Sequence, residues 1–367
     1  MTDSVRVLVV DDSALMRKLI PQILQTDSSI EVVGTAMDGN FGLKKIAELK
    51  PQVVTLDLEM PGMGGLDTLK EIMRRHHVPV IVVSSHSTEG AAVTLKALSL
   101  GAFDFVAKPH DVAARMPEIA RELIAKIKAA AQSREMPARL FQENPRRTPK
   151  VQPHNRPTCV VAVGVSTGGP QALQYFLPQL PAHFSAAILV VQHMPEGFTE
   201  MFARRLDETC AIQVKEAQSG DVLLAGRALI CPGNRHLKVK RLSLDDVAVL
   251  SDDPKVNGHR PSADILFQSV AQEFGQKSIA VLMTGMGDDG ARGMGMVKDA
   301  GGLTIAQSED SCVVYGMPKA AIERGFAARV VSLDALANTL YTQCTQDRNT
   351  GSTPPLEAGR AAGTGKS

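Results

Sequence analysis

The sequence predicts an α/β protein: a (βα)5 domain with a parallel sheet, followed by a second doubly wound α/β domain. Two observations carry this. Short runs of Val, Ile and Leu alternate along the 367 residues with longer stretches of helical periodicity. Residues that carry chemistry recur where those runs end. Strands covered on both faces by crossover helices read as continuous apolar runs, and an open parallel sheet gathers its ligand-binding groups outside the carboxyl ends of its strands.

In the first half, strands are expected over 5–10, 31–34, 53–56, 80–83 and 103–106. Helices are expected over 14–25, 41–49, 66–75, 91–100 and 117–131. Residues 133–157 then change character. They carry Pro137, Pro145, Pro149, Pro153 and Pro157, and Arg134, Arg139, Arg146, Arg147, Lys150 and Arg156 stand against only Glu135 and Glu143. That composition reads as a semi-extended basic linker, interrupted by Leu140 and Phe141, which either cap the preceding domain or dock between domains. The alternation resumes with strands near 159–163, 187–191, 228–230, 279–283 and 303–306. Helices follow near 171–177, 199–208, 263–274, 290–300, 318–323 and 333–340, and a hairpin lies within 237–250. From Gln346 the chain is polar and rich in Gly, Ser, Thr and Pro, a composition expected to be disordered. The expected division is 1–130, linker 131–157, second domain 158–345 and tail 346–367.

Bulk properties narrow the function. Hydrophobic residues make up 44%, enough for two cores. Forty Lys and Arg against 39 Asp and Glu leave a net charge of +1, which provides no broad attraction for nucleic acid or membrane. Cys159, Cys210, Cys231, Cys312 and Cys344 are odd in number and lack metal-site spacing, as expected of reduced thiols in a cytoplasmic protein. Acidic residues flank the short apolar run near the N-terminus, unlike a signal peptide. No apolar stretch approaches the roughly 18 residues of a membrane span.

Asp11 and Asp12 follow the first apolar run, Asp57 the third, Ser84 the fourth and Lys108 the fifth, so the five side chains are expected to converge. An Asp-Asp pair alone is as well read as a cap on the helix that follows. With Asp57 added, the carboxylates repel unless a cation neutralises them, and an oxygen-rich set suits Mg²⁺. Asp57, central and followed by Met60-Pro61-Gly62-Met63-Gly64, is the best phosphoryl acceptor, and Lys108 precedes Pro109 in what suits a fixed turn or a cis peptide bond. The segments VLVVDDS, VVTLDLEMPGMGGL, VPVIVVSS and FDFVAKP resemble a response-regulator receiver domain, nearly end to end over 1–125. The resemblance implies Mg²⁺-dependent phosphoryl transfer from a histidine kinase to Asp57. Asp12, Asp57 and the Glu59 carbonyl would bind the metal, with Asp11 assisting through water. Lys108 would contact the phosphoryl group, Ser84 would swing to hydrogen-bond it, and Phe105 would repack as the aromatic switch. Tyr is commoner at that position, and with Phe the switch must act through packing.

A second site opens at Ser166, flanked by Gly164 and Gly168 in a G-x-S-x-G frame between a strand and a helix. Such a turn presents a serine beside free N–H groups, although glycine-rich turns also bind phosphates. A nucleophilic serine needs a base and an orienting acid. His193 ends the next strand, and Asp288 and Asp289 follow the strand near 279–283. The order Ser, His, Asp is not that of the α/β-hydrolases. GVSTGGP, VVQHMP, CPGNRHL, PSADILF, MTGMGDDGARG and AQSEDSCVVYGMP resemble the catalytic domain of chemotaxis protein-glutamate methylesterases of the CheB type. The resemblance implies Ser166 as nucleophile, His193 as general base, Asp289 in preference to Asp288 as orienter, and the N–H groups of Thr167 and Met286 as oxyanion donors. Gln192, Met194 and the stretch 311–318 would shape the cleft, and the Met286 and Met317 side chains would pack. The implied reaction is phosphorylation-activated hydrolysis of glutamate γ-methyl esters, and deamidation of glutamines, on methylated chemoreceptors. No cofactor is implied at the second site. A phosphorylation-dependent adaptor, a transcription factor and a general esterase are the competing readings.

Overall fold

The structure, a computed structural model, describes residues 4–85, 87–108, 112–133 and 155–346. Most of the predicted linker (with Leu140 and Phe141), the Lys108–Pro109 peptide and the tail beyond Gln346 lie outside those residues.

The first sheet is built from β1 (Val5–Val10), β2 (Ile30–Ala36), β3 (Val53–Asp57), β4 (Val80–Ser84) and β5 (Asp104–Ala107). The helices α1 (Ala14–Leu24), α2 (Gly39–Leu49), α3 (Gly65–Arg75), α4 (Thr88–Ser99) and α5 (Val112–Gln132) alternate with them. All pairs are parallel, in the order β2-β1-β3-β4-β5. The chain reverses direction across the sheet at β1, and the register Val10↔Leu56 carries Asp11 level with Asp57. The capping reading of the aspartates does not hold. Ser13 caps α1 by accepting from Met16 N at 3.4 Å, and Asp11 Oδ1 accepts from Ser13 N at 2.9 Å, which leaves Asp11 Oδ2 and the Asp12 carboxylate to the crevice.

The second sheet comprises β6 (Val160–Val165), β7 (Ala187–Gln192), β8 (Gln213–Glu216) and β9 (Arg227–Ile230), then, after the antiparallel hairpin β10 (His236–Arg241) and β11 (Asp246–Ser251), β12 (Ser278–Leu282), β13 (Leu303–Gln307) and β14 (Arg329–Val331). Its helices are α6 (Gly169–Phe176), α7 (Thr199–Thr209), α8 (Ala263–Phe274), α9 (Ala291–Asp299), α10 (Met317–Glu323) and α11 (Leu333–Gln346). The sheet is parallel throughout, in the order β14-β13-β12-β6-β7-β9-β8. β6 lies at the centre, where the strand order reverses. The registers Val165↔Gln192 and Leu282↔Gly164 bring Ser166, His193 and Thr284 to one level at the carboxyl edge.

Four elements differ from the sequence expectation. β8 and β14 are edge strands, with one buried residue in β8 and none in β14, so neither offers an apolar run to read. α5 reaches Gln132 because Leu123, Ile127 and Ala130 continue one buried stripe, which makes the first two residues assigned to the linker helical. α11 reaches Gln346 because Cys344 extends the stripe of Leu336 and Leu340 through a polar-looking segment. Among the described residues, no helix is long and apolar enough to cross a membrane.

One hydrophobic cluster runs through both sheets, from Leu8, Val54 and Val82 by way of Leu95, Leu98 and Phe105 to Phe198, Phe202 and Val163. A second cluster packs α8 against the other face of the second sheet. There α8 approaches β6 so closely that a Cβ on Gly164 would lie 2.7 Å from the Ala263 Cβ. Gly164→Ala is therefore expected to lower stability by about 1–3 kcal/mol through overpacking, read as a lower denaturant midpoint at unchanged m-value.

Candidate active site

Ser166 lies half-buried where β6 turns into α6. The turn needs Gly168 at φ +75°, a conformation open to glycine and strained for other residues. Three contacts hold the turn in place. Ser166 N donates to Thr284 O at 3.0 Å, Thr284 Oγ1 donates to Thr167 O at 3.0 Å, and Gln192 Nε2 donates to Ser166 O at 3.1 Å. The stretch 311–318 backs the same loop, with Val314 N donating to Thr284 Oγ1 and Gly316 and Met317 N donating to Gly285 O. Among the described residues, neither Thr167 N nor Met286 N donates a hydrogen bond. Two N–H groups are thus left open at this edge. Met317 is fully buried and Met194 nearly so, both as packing.

His193 stands at the end of β7, its side chain 9% exposed. Its Nε2 meets Asp289 Oδ2 at 2.8 Å, while its Nδ1 is buried without a hydrogen-bond partner. An ionised carboxylate only accepts, so Nε2 carries a proton and donates it to Asp289. Asp289, 1% exposed, sits on the N-terminus of α8. Ser262 Oγ donates to its Oδ1 at 2.6 Å, and Ala263 N donates to its Oδ2 at 2.7 Å. Burial opposes the Asp289 charge, but His193, Ser262 and the Ala263 N–H outweigh it and hold the carboxyl down at about 2. The positive end of α8 works in the same sense. Asp288 points elsewhere, paired with Arg324 at 2.6 Å. Of the two competing aspartates, the structure brings Asp289 onto His193.

Sequence reasoning missed two parts of this site. One is the polar grip on Asp289 from the start of α8. The other is His259, whose ring stacks on that of His193 with centroids 4.1 Å apart and planes 7° apart. The available signal was the Asn257-Gly258 turn directly ahead of His259 and of the motif that begins at Pro261.

In the first crevice, one carboxylate oxygen each from Asp11, Asp12 and Asp57 lies within 4.8 Å of the others. Lys108 Nζ approaches Asp57 Oδ2 at 2.7 Å and Asp11 Oδ2 at 3.3 Å, the latter without hydrogen-bond geometry. Burial raises the Asp57 and Asp11 carboxyls above the usual range, more than Lys108 lowers them. Burial likewise opposes the Lys108 charge, but the two carboxylates outweigh it and raise its pKa. An orphaned buried carboxylate oxygen in an all-oxygen cluster fits a hard divalent cation. Glu59 N donates to Asp57 Oδ1 at 3.1 Å, and Ser84 Oγ donates to Gly90 O at 3.3 Å.

The receiver-like sheet meets the second crevice through α4, β5 and α5. Phe105 stacks on Phe198, centroids 4.8 Å apart, five residues beyond His193. Gln171 Nε2 donates to Ala102 O at 2.8 Å, and Arg205 donates to Ser99 Oγ at 2.9 Å. Val313 and Val314 pack into the core of the first sheet beside Leu123 and Ile127 of α5.

The state of Asp289 has a pH signature. Held near 2 when folded, against 3.8 when free, it stabilises the fold fully above pH 4, and that contribution is lost as pH falls toward 2. The loss is worth about 2 kcal/mol. Asp289→Asn is expected to flatten this limb of a stability-versus-pH curve relative to wild type, as read by urea unfolding at pH 2 to 5.

The family model described as CheB methylesterase matches residues 161–340, and the response regulator receiver domain model matches residues 7–119. A protein-glutamate methylesterase/protein-glutamine glutaminase 2 from Koribacter versatilis (strain Ellin345) is 60% identical over 356 residues, 95% of this chain and 98% of that protein. A protein-glutamate methylesterase/protein-glutamine glutaminase from Symbiobacterium thermophilum is 46% identical over 353 residues, 92% of this chain and 96% of that protein. The crystal structure of the Thermotoga maritima CheB methylesterase catalytic domain covers 50% of this chain and 98% of its own, at 42% identity and a TM-score of 0.50. With a receiver-like sheet ahead of a Ser-His-Asp crevice and relatives matching almost end to end, the chain belongs to the CheB family of protein-glutamate methylesterases/protein-glutamine glutaminases.

Proposed function

We propose that the chain hydrolyses glutamate γ-methyl esters on chemoreceptor cytoplasmic helices, releases methanol and deamidates receptor glutamines, under control of phosphorylation at Asp57. The observation that carries this reading is the His193 ring with Nε2 fixed on Asp289 and Nδ1 free. Nδ1 takes the Ser166 hydroxyl proton as Oγ attacks the ester carbonyl, and the imidazolium returns it to the leaving methoxide. The N–H groups of Thr167 and Met286 receive the developing oxyanion. Water, activated by the same imidazole, then releases the glutamate and frees Ser166. A glutamine side chain follows the same course with ammonia as the leaving group.

In the regulatory half, Asp12, Asp57 and the Glu59 carbonyl would hold Mg²⁺, with Asp11 beside them. A bound Mg²⁺ supplies charge neutralisation for phosphoryl transfer from a histidine kinase. Lys108 and Ser84 pair with the phosphoryl oxygens. Phe105, one position from Val106 on the strand that ends at Ala107, then leaves Phe198 and loosens the packing beside His193. A pure adaptor has no use for a buried aspartate oriented on a half-free histidine, so the catalytic reading is preferred.

Methanol release from methylated receptor membranes tests the reading. Wild type with a small phosphodonor and Mg²⁺ is expected to release methanol, and Ser166→Ala to release none. Wild-type silence with Asp57 phosphorylated would leave the adaptor reading standing. Arg205→Ala removes one inter-sheet hydrogen bond of about 1 kcal/mol. It is expected to raise release without phosphodonor about fivefold, and no rise would count against receiver control through this interface.

A further inference from the structure

We propose that His259 is a positioning residue for the hydrolytic base: its ring lies flat against the His193 ring and holds it with Nε2 on Asp289 and Nδ1 free for the nucleophile. The inference rests on the reading of His193 as the base. The two rings are almost parallel, 7° apart, with centroids at 4.1 Å, closer than the roughly 4.5 Å at which packed aromatic pairs usually begin. His259 is itself fixed by a tight turn. Val256 N donates to His259 O at 3.0 Å and His259 N donates to Val256 O at 2.9 Å, across Asn257 at φ 52° and Gly258 at φ 81°. Asn257 Nδ2 ties the turn to Asp264 Oδ2 at 3.2 Å. Three residues past His259, Ser262 Oγ and Ala263 N grip Asp289. One short segment thus covers the flat face of the histidine and holds the carboxylate on its edge.

The ring nitrogens of His259 make no hydrogen bond among the described residues, so the ring acts through its face. The charged and titratable groups that bear on it are His193, Asp289, Glu122 of α5 and Lys255. Burial, then His193, hold its pKa down at about 4, against the opposite pull of Asp289 and Glu122. At neutral pH His259 therefore adds no positive charge beside His193. The imidazolium formed during the reaction meets no competing cation beside it. The cover also keeps bulk water off that face, so the ring cannot rotate away from its carboxylate without breaking the stack.

Full-length wild type, His193→Gln, His259→Ala and His259→Phe would be compared for methanol release from methylated receptor membranes, with phosphodonor and Mg²⁺, between pH 5 and 9. His259→Ala is expected to lower kcat about tenfold with KM little changed. The acid limb of its kcat/KM profile is expected to move to higher pH, because water reaching the uncovered face stabilises the imidazolium. His259→Phe keeps the face and is expected to retain kcat within about threefold, with the wild-type limb. Thermal midpoints give a readout independent of activity. The unfolded chain binds a proton on His259 near 6.5, whereas the folded chain binds it only near 4. Wild type therefore loses stability between those values, and His259→Phe is expected to lose less. Full activity in His259→Ala, or equal losses in the Ala and Phe variants, would overturn the proposal while leaving His193 as the base. Wild-type activity in His193→Gln would overturn the reading of the base and the proposal with it.

Discussion

The Asp289 carboxylate, buried at the N-terminus of α8, is the constraint around which the second crevice is organised. A charge taken that far from water is expensive unless it is fully hydrogen-bonded. Here a hydroxyl, a backbone N–H and an imidazole N–H meet it, and the end of a helix faces it. Asp289 can then dictate the histidine tautomer. Because it holds Nε2, Nδ1 is the ring nitrogen left without a hydrogen-bond partner. Ser166, His193 and the 284–289 loop leave three neighbouring strands at the central reversal of one parallel sheet, the place where such sheets open a crevice.

The same topological logic operates a second time in the first sheet, with a different donor set. There the groups at the strand ends are three carboxylates and an ammonium. Burial raises the carboxyls at Asp11 and Asp57, so the cluster is tense without a cation. One crevice gathers a hydroxyl, an imidazole and a carboxylate, the other three carboxylates and an ammonium. Related backbones serve both because the chemistry resides in the side chains at the strand ends.

The two crevices communicate through packing. Lys126 links Asp104 and Glu122 and donates to Phe105 O at 2.5 Å, so the ring that stacks on Phe198 is tied to α5 as well as to β5. Glu122 in turn bears electrostatically on His259. A shift of β5 would be felt both at the packing below His193 and at the charge facing its stacked partner. Among the described residues, hydrogen bonds from Gln171 to Ala102 and from Arg205 to Ser99 accompany this packing.

Much of this was legible in the residues. Apolar runs located the strands of both sheets, save β8 and β14, because strands buried on both faces must be apolar throughout while edge strands need not be. Position at the ends of those runs singled out Asp11, Asp12, Asp57, Lys108, Ser166 and His193. Pattern alone did not separate Asp288 from Asp289, since adjacent residues differ only in which way the turn aims them, and the resemblance to the family was needed to prefer one. What only the tertiary structure decided depends on contacts between segments distant in sequence. These are the grip of α8 on Asp289, the edge of His193 left free, the stack of His259 on it, and the seating of Phe105 against Phe198. Periodicity and local spacing set which elements form and which end of a strand a residue occupies. The orientation of one ring against another is set by packing across the fold, and no local pattern encodes it.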